Sequence, residues 1–422
     1  MLLHDTSPGS VELREESFVL GTYARTSFHP RWGKGAKLFD AEGRAYWDLL
    51  GGLAVNILGH QHPAITRTIR EQSRALVHVS NLYFHPAQGL LAEHLVRLAR
   101  MDKAFFCNSG TEANEAAIKF ARLRTPGRHR IVSLHRSFHG RSAGSLSVTG
   151  NQGYREPFAP LLPGVTFIEP DDAGALESAV DETTSAIILE PILGEGGVVP
   201  LAAEFLAAAR RAADRHDAVL IFDEIQCGFG RTGTFFAFEQ SGVEPDIVTL
   251  AKPLGGGLPL GAVIVNEHVA RVVRPGHHGT TFGGNPIACA LGLAVLSEIA
   301  RAALLSRTRE VGSWFGAMLR DLAAVTPAIV DVRGAGLMWG IELDRKASPV
   351  TKALLERGFV VGTAGENVLR LLPPYIVPKK ALREFAEALD AILANQEQEG
   401  RSPIDQDARS ASLNHKSGGR DE

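Results

Sequence analysis

From Lys103 to Asn266 the chain reads, in order, KAFFCN (103–108), TEANEAAIKFARLR (111–124), RIVSL (130–134), VTFIE (165–169), SAIILEP (185–191), AVLIFDE (218–224), DIVTLAK (246–252) and GAVIVN (261–266). The short runs are rich in β-branched and aromatic residues with little polar alternation, the pattern of strands buried on both faces. Segments of helical length lie between them, one from about Ala203 to His216. Strands alternating with helices predict an α/β fold in which a mostly parallel sheet is covered on two sides.

Outward from this block the pattern changes. A helix-rich stretch around residues 288–322 leads into IVDVRGAGLMWGIEL (329–343), a helix near 349–356, FVVGT (359–363), VLRLLPP (368–374) and a closing helix near 379–394. Short strands with covering helices predict a second, smaller α/β domain. The expected organisation is an N-terminal segment (1–60) joining the small domain, a large domain (61–305), the small domain (306–396) and a tail (397–422). The tail has too few large apolar groups to order itself.

Composition narrows the function. The 422 residues are 45% hydrophobic, with 44 Lys+Arg against 47 Asp+Glu and a net charge of -3. That balance supplies no basic face for nucleic acid or an anionic membrane, so small-molecule chemistry is the expectation. Cys107, Cys227 and Cys289 are too few and scattered for a disulfide framework or a four-ligand metal site. A reducing cytoplasm fits them. No export signal or apolar membrane span is legible, and His60, His62, His277 and His278 lack metal-ligand spacing.

Three constellations carry chemistry. Asn108-Ser109-Gly110-Thr111-Glu112 sits where a strand ends and a helix begins, so that glycine and the free N–H groups of the first turn can take an anion. The bland alternative is a helix capped by Ser109 or Thr111. In Leu220-Ile221-Phe222-Asp223-Glu224-Ile225-Gln226 an apolar strand ends in an acid, where α/β folds bind ligands; Asp223 could equally cap the next loop. In Ala251-Lys252-Pro253-Leu254-Gly255-Gly256-Gly257 a lysine lies among apolar residues. Desolvation would make its amine nucleophilic, although a surface lysine before a flexible loop reads the same way.

Taken together, these motifs resemble the fold-type I pyridoxal-5′-phosphate (PLP) enzymes. The sequence is similar to the class III aminotransferases from about residue 23 to 392, through NILGHQHP, FFCNSGTEANEAAIKFAR, SFHGRSAGSLSVTG, EPILGEGGV, FDEIQCGFGRTG, LAKPLGGGLPLGAV, HHGTTFGGNPIACA and NVLRLLPP. The resemblance is greatest to the acetylornithine aminotransferases.

It implies that Lys252 carries PLP as a Schiff base and shuttles the substrate proton, while Asp223 faces the pyridine nitrogen. Phe138 and Ile225 would flank the ring and Gln226 would reach its hydroxyl. Ser109, Gly110 and Thr111 would form the phosphate cup, joined by Thr281 of the neighbouring subunit of a homodimer. Arg141 and Arg370 match carboxylate-binding arginines, Glu195 matches the acid that pairs with Arg370, and Tyr23 would border the pocket. Leu193 stands where glutamine is common in the family, and Pro253 where a small residue is.

The activity implied is transfer of the ω-amino group of N2-acetylornithine to 2-oxoglutarate, giving N-acetylglutamate 5-semialdehyde and glutamate, a step of arginine biosynthesis. Ornithine, succinylornithine, 4-aminobutyrate and carrier-linked aminoadipate semialdehyde are rival substrates. A non-catalytic PLP-binding regulator would lack the lysine or the acid, and both are present. A nicotinamide oxidoreductase would need a GxGxxG turn opening a strand–helix unit, a pattern the glycines after Lys252 do not follow.

Overall fold

The computed structural model describes residues 7–399; the expected tail from residue 400 lies outside them, and residues 397–399 continue the closing helix. The large sheet has seven strands in the order Lys103–Cys107, Gly261–Val265, Ile247–Leu250, Val219–Asp223, Thr184–Leu189, Arg130–Leu134 and Val165–Ile168. All neighbours run parallel except Gly261–Val265, which is antiparallel to both strands beside it.

Strand parity decides which residues meet which layer of helix, because successive side chains leave a sheet on opposite faces. Val219 and Ile221 pack with Ala113, Ala116, Ala117 and Ala121 of helix Gly110–Arg124. Leu220 and Phe222 pack on the other face with Phe205, Ala208, Ala209 and Ala212 of helix Ala203–His216. Asp223 continues the first set and Glu224 the second. The last residue of the strand is thereby turned toward the helix that begins at Gly110.

The second sheet is antiparallel, in the order Ile329–Ala335, Met338–Leu343, Val368–Leu371 and Gly362–Ala364. Helices Leu304–Val325, Ala347–Glu356 and Lys379–Glu399 accompany it. Near the N-terminus, strands Trp32–Lys34, Lys37–Phe39 and Ala45–Asp48 form an antiparallel ribbon, and Ala45–Asp48 pairs in parallel with Phe359–Val360. Leu189 and Phe222 of the large sheet share one contiguous core with Ile341 and Leu369 of the small one.

Gly340 pairs in register with Arg370. A Cβ there would lie 2.9 Å from Gly197 O and 3.0 Å from Val198 Cβ, so glycine lets the 195–198 loop rest directly on the small sheet. Arg333 Nε donates to Gly197 O at 2.8 Å and fastens that contact. Among the described residues no single helix is long and apolar enough to cross a membrane.

Candidate active site

One residue, Ala251, separates Lys252 from the end of strand Ile247–Leu250; the lysine opens a 3-10 turn, Lys252–Gly255, with a left-handed φ of 32°. Non-glycine residues rarely adopt that region, and strain of this kind collects at functional sites. Two residues of the glycine run have a steric reason. Gly256 takes φ 61°, and a Cβ on it would come within 2.8 Å of Ile65 Cδ1; Gly257 takes φ 110°. The lysine borders a cavity of about 470 Å³ that Ser109, Gly110, Thr111, Phe138, Arg141, Asp223, Ile225 and Gln226 also line. Burial pushes the Lys252 amine below its usual range, opposed by the carboxylates of Asp223 and Glu195.

Asp223 is 2% exposed, and both of its carboxylate oxygens are hydrogen-bonded. Oδ2 accepts from Asn114 Nδ2 at 2.7 Å and lies 2.8 Å from His139 Nδ1, while Oδ1 accepts from Ile225 N at 3.0 Å. Asn114 is itself held: Thr249 Oγ1 donates to its Oδ1 at 2.9 Å, and its Nδ2 also reaches His139 O at 2.7 Å. Helix, strand and loop thus converge to fix one carboxylate rotamer. A basic ring nitrogen in the cavity would find this acid pre-oriented, without reorganisation when charge develops.

At the helix start, Ser109 caps by accepting from Glu112 N at 3.3 Å, and Glu112 Oε2 accepts from Asn108 N at 2.5 Å. Thr111 Oγ1 accepts from Arg141 N at 3.1 Å and Ser142 N at 3.2 Å and lies 2.6 Å from Ser145 Oγ. Both hydroxyls therefore serve the protein, and what the turn offers an anion is the N–H groups that helix geometry leaves without an intrahelical acceptor. A Cβ at Gly110 would lie 2.8 Å from Ile225 Cδ1, so glycine keeps the approach open.

Arg370 does not line this cavity; it is 4% exposed and forms an ion pair with Glu195, which lines a different cavity. Its Nη1 also donates to Gln226 Oε1 at 3.2 Å, so this oxygen of Gln226 is turned to the arginine. Arg141 is exposed, with its guanidinium over the ring of Tyr154.

Tyr23 and Thr281 also lie outside the lining. Tyr23 is 75% exposed and lines a separate depression beside helix Pro8–Phe18 with Val11, Glu15 and Arg25; the polar N-terminal segment that carries it keeps it out of the Lys252 cavity of its own chain. Thr281 is exposed and outside the lining, while Thr280 Oγ1 accepts from Asn108 Nδ2 at 3.1 Å.

Sequence reasoning also missed three residues. Asn114 and His139 hold Asp223, as above. Glu190, 4% exposed, accepts from Phe138 N at 2.9 Å and Gly194 N at 3.0 Å, tying the segment of Phe138 to the loop of Glu195. Burial pushes its carboxyl up to about 7, opposed by His139. All three fall inside the quoted motifs, but a motif does not say which of its polar residues face one another.

An amine, a strand-end acid and a helix N-terminus around one cavity on a doubly covered sheet define a fold-type I PLP-dependent aminotransferase. Within that class the chain belongs to the Aminotransferase class-III family, whose profile matches residues 22–393. It is similar to the acetylornithine aminotransferase of Methanocaldococcus jannaschii, 44% identical over 383 residues, covering 90% of this chain and 96% of that one. It is 47% identical to the mitochondrial acetylornithine aminotransferase of Alnus glutinosa, over 88% of this chain and 84% of that one. The solved ornithine aminotransferase of Toxoplasma gondii superposes with a TM-score of 0.90 at 30% identity, covering 94% and 97% of the two chains. A second structure of that protein has partial occupancy of PLP at its active site. The acetylornithine aminotransferase of Elizabethkingia anophelis superposes at 0.84 with 29% identity, covering 93% of this chain and all of that one.

Proposed function

We propose that this protein transfers the ω-amino group of N2-acetylornithine to 2-oxoglutarate, with PLP bound in the Lys252 cavity. The observation that carries this reading is the division of the two arginines: Arg370 is buried and paired with Glu195, whereas Arg141 presents an exposed guanidinium. PLP fits the residues present. Gly110 keeps a cradle that a Cβ would fill against Ile225, and the helix N-terminus beside it suits a phosphate. Phe138 and Ile225 would flank the ring, Gln226 would lie toward its hydroxyl, and Asp223 toward its nitrogen. When bound, PLP supplies the electron sink for breaking the C–H bond beside the transferred nitrogen. Lys252 holds the cofactor and carries the proton to and from that carbon, and its desolvated amine is suited to both tasks.

Two donors must use one pocket. Acetylornithine would set its α-carboxylate on Arg141 and its terminal amine at Lys252. Glutamate would set its γ-carboxylate on Arg141, which leaves its α-carboxylate beside the reacting carbon, where Arg370 is the available cation. Glu195 neutralises Arg370 while the first donor is bound and yields it to the second, since an unpaired buried guanidinium is costly. Arg370→Ala is therefore expected to slow the glutamate half-reaction more than the acetylornithine one by about 1–3 kcal/mol, the range for hydrogen bonds to charged groups. Glu195→Gln is expected to shift the ratio the opposite way. Single-turnover rates with each donor measure both, and equal effects on the two half-reactions would rule out the exchange of partners.

A homodimer with shared sites completes the proposal. Leu82, Tyr83, Phe84 and Phe282 are 60–107% exposed, and Asn81 Nδ2 ties their two segments together by donating to Gly283 O at 2.9 Å. An apolar patch of this kind on a soluble enzyme marks an interface, and it adjoins Thr281, which would reach the partner's phosphate. The three cysteines are free and buried, which suits the cytoplasm proposed for the enzyme.

The decisive experiment incubates the protein with acetylornithine, succinylornithine, ornithine or 4-aminobutyrate and 2-oxoglutarate, and measures glutamate. Acetylornithine is expected to give the highest kcat/KM, from a species that sediments as a dimer. A better rate with another donor overturns the substrate assignment, and a fully active monomer overturns the shared site.

A further inference from the structure

Arg141 is held by a contact that its own motif does not contain. Its Cζ lies 3.6 Å from the centroid of the Tyr154 ring and 5.7 Å from that of Phe138. Tyr154 and Phe138 meet edge to face, with centroids 6.3 Å apart and planes at 87°. Tyr154 stands on the short helix Gln152–Arg155, so a separate turn of chain brings the ring to the arginine. Tyr154 also lines a second cavity, together with Glu195, and Phe138 borders both this cavity and that of Lys252.

A free arginine side chain samples many rotamers, and part of that freedom is lost when it grips a carboxylate. Stacking removes part of that loss beforehand. The aromatic ring occupies the face of the guanidinium and leaves the N–H edges open in their own plane, where a carboxylate accepts two parallel hydrogen bonds. The main chain of Arg141 is fixed at the same time, because its N–H donates to Thr111 Oγ1 at 3.1 Å. Phe138, the residue expected against the cofactor ring, belongs to the same aromatic pair. The distance from ring to guanidinium is therefore set by packed side chains at both ends.

We propose that Tyr154 is a positioning residue that presents Arg141 to the distal carboxylate of both substrates. The proposal rests on the function argued above for Arg141, and it adds to that function a residue outside the motif. Tyr154 does not line the Lys252 cavity, so it acts on substrate affinity and leaves the chemical step alone.

The test uses the holoenzyme as wild type, Tyr154→Leu, Tyr154→Phe, Arg141→Ala and the Arg141→Ala/Tyr154→Leu double variant. Calorimetry with glutarate, a dicarboxylate with no group to transfer, reads binding without turnover; KM and kcat for acetylornithine and 2-oxoglutarate read the reaction. Tyr154→Leu is expected to weaken glutarate and raise both KM values roughly 3- to 30-fold, the span of a stacked cation on an aromatic ring. Its kcat, cofactor absorbance and melting midpoint stay near wild type. Tyr154→Phe, which keeps the ring, retains most of the affinity, and Tyr154→Leu adds nothing once Arg141 is alanine. Unchanged glutarate binding in Tyr154→Leu overturns the proposal. So does an equal loss in the Arg141→Ala background, or a loss that arrives with a lowered melting midpoint. Glutarate binding that depends on both residues, in a protein that does not accept acetylornithine, supports the positioning role and sinks only the donor assignment.

Discussion

Lys252→Ala is expected to abolish transamination, with a loss on the order of 10⁴-fold or more, because in the proposed function one side chain both holds the cofactor and moves the proton, and positioned proton transfer alone contributes up to about that factor. The fold is expected to survive. Burial already disfavours the charged amine, so truncating the side chain to its β-methyl removes a desolvation cost from the core. The variant should keep the wild-type melting transition, lose the visible absorbance of lysine-bound cofactor that resists dialysis, and no longer respond to borohydride. Turnover near the wild-type rate would remove the central assignment, and a variant that fails to fold would show the lysine to be structural instead.

How much of this was legible in the sequence depends on whether a feature is local. The strand–helix alternation from residue 103 to 266 gives the layered sheet, and the end of AVLIFDE places an acid at the sheet's C-terminal edge. Parity along that strand then separates Asp223 from Glu224. Glu224 turns to the other side, accepting from Ala237 N and Phe238 N at 2.8 Å each. Other features are not local. The reversed direction of Gly261–Val265 leaves no trace, because a strand buried on both faces reads alike in either orientation. The alliance of Asn114, His139 and Asp223 spans three elements that only the fold brings together. Thr111 was legible as a helix-start residue, yet its hydroxyl is taken by the turn at Arg141 and Ser142, a competition that a motif cannot display. Tyr23 was expected at the pocket by resemblance alone, and within its own chain it lies beside the N-terminal helix.

Asp223→Asn probes that alliance and is expected to lower kcat by about 10²–10³-fold, the usual loss when one pre-oriented electrostatic partner of the reacting system is removed. The amide is nearly isosteric, so packing is conserved while two properties change. The first is the negative charge that, in the proposed function, faces the ring nitrogen and sustains the electron sink. The second is acceptor capacity. Asn114 Nδ2 and His139 Nδ1 both address Oδ2, and Ile225 N addresses Oδ1. An asparagine has one acceptor oxygen, so if it serves Asn114 and His139, its NH₂ group must face the N–H of Ile225. If it turns over, the NH₂ group faces the amide of Asn114. Either orientation leaves a buried donor without an acceptor, a cost of about 1–3 kcal/mol. The melting midpoint should therefore fall modestly while turnover falls by orders of magnitude. A second variant separates the two effects. Asn114→Ala removes one donor and leaves the charge, so it should cost stability comparably but turnover far less. If Asp223→Asn loses no more activity than Asn114→Ala, Asp223 serves the loop at Ile225 and not the cofactor; if the two diverge as expected, the charge facing the cavity accounts for the difference.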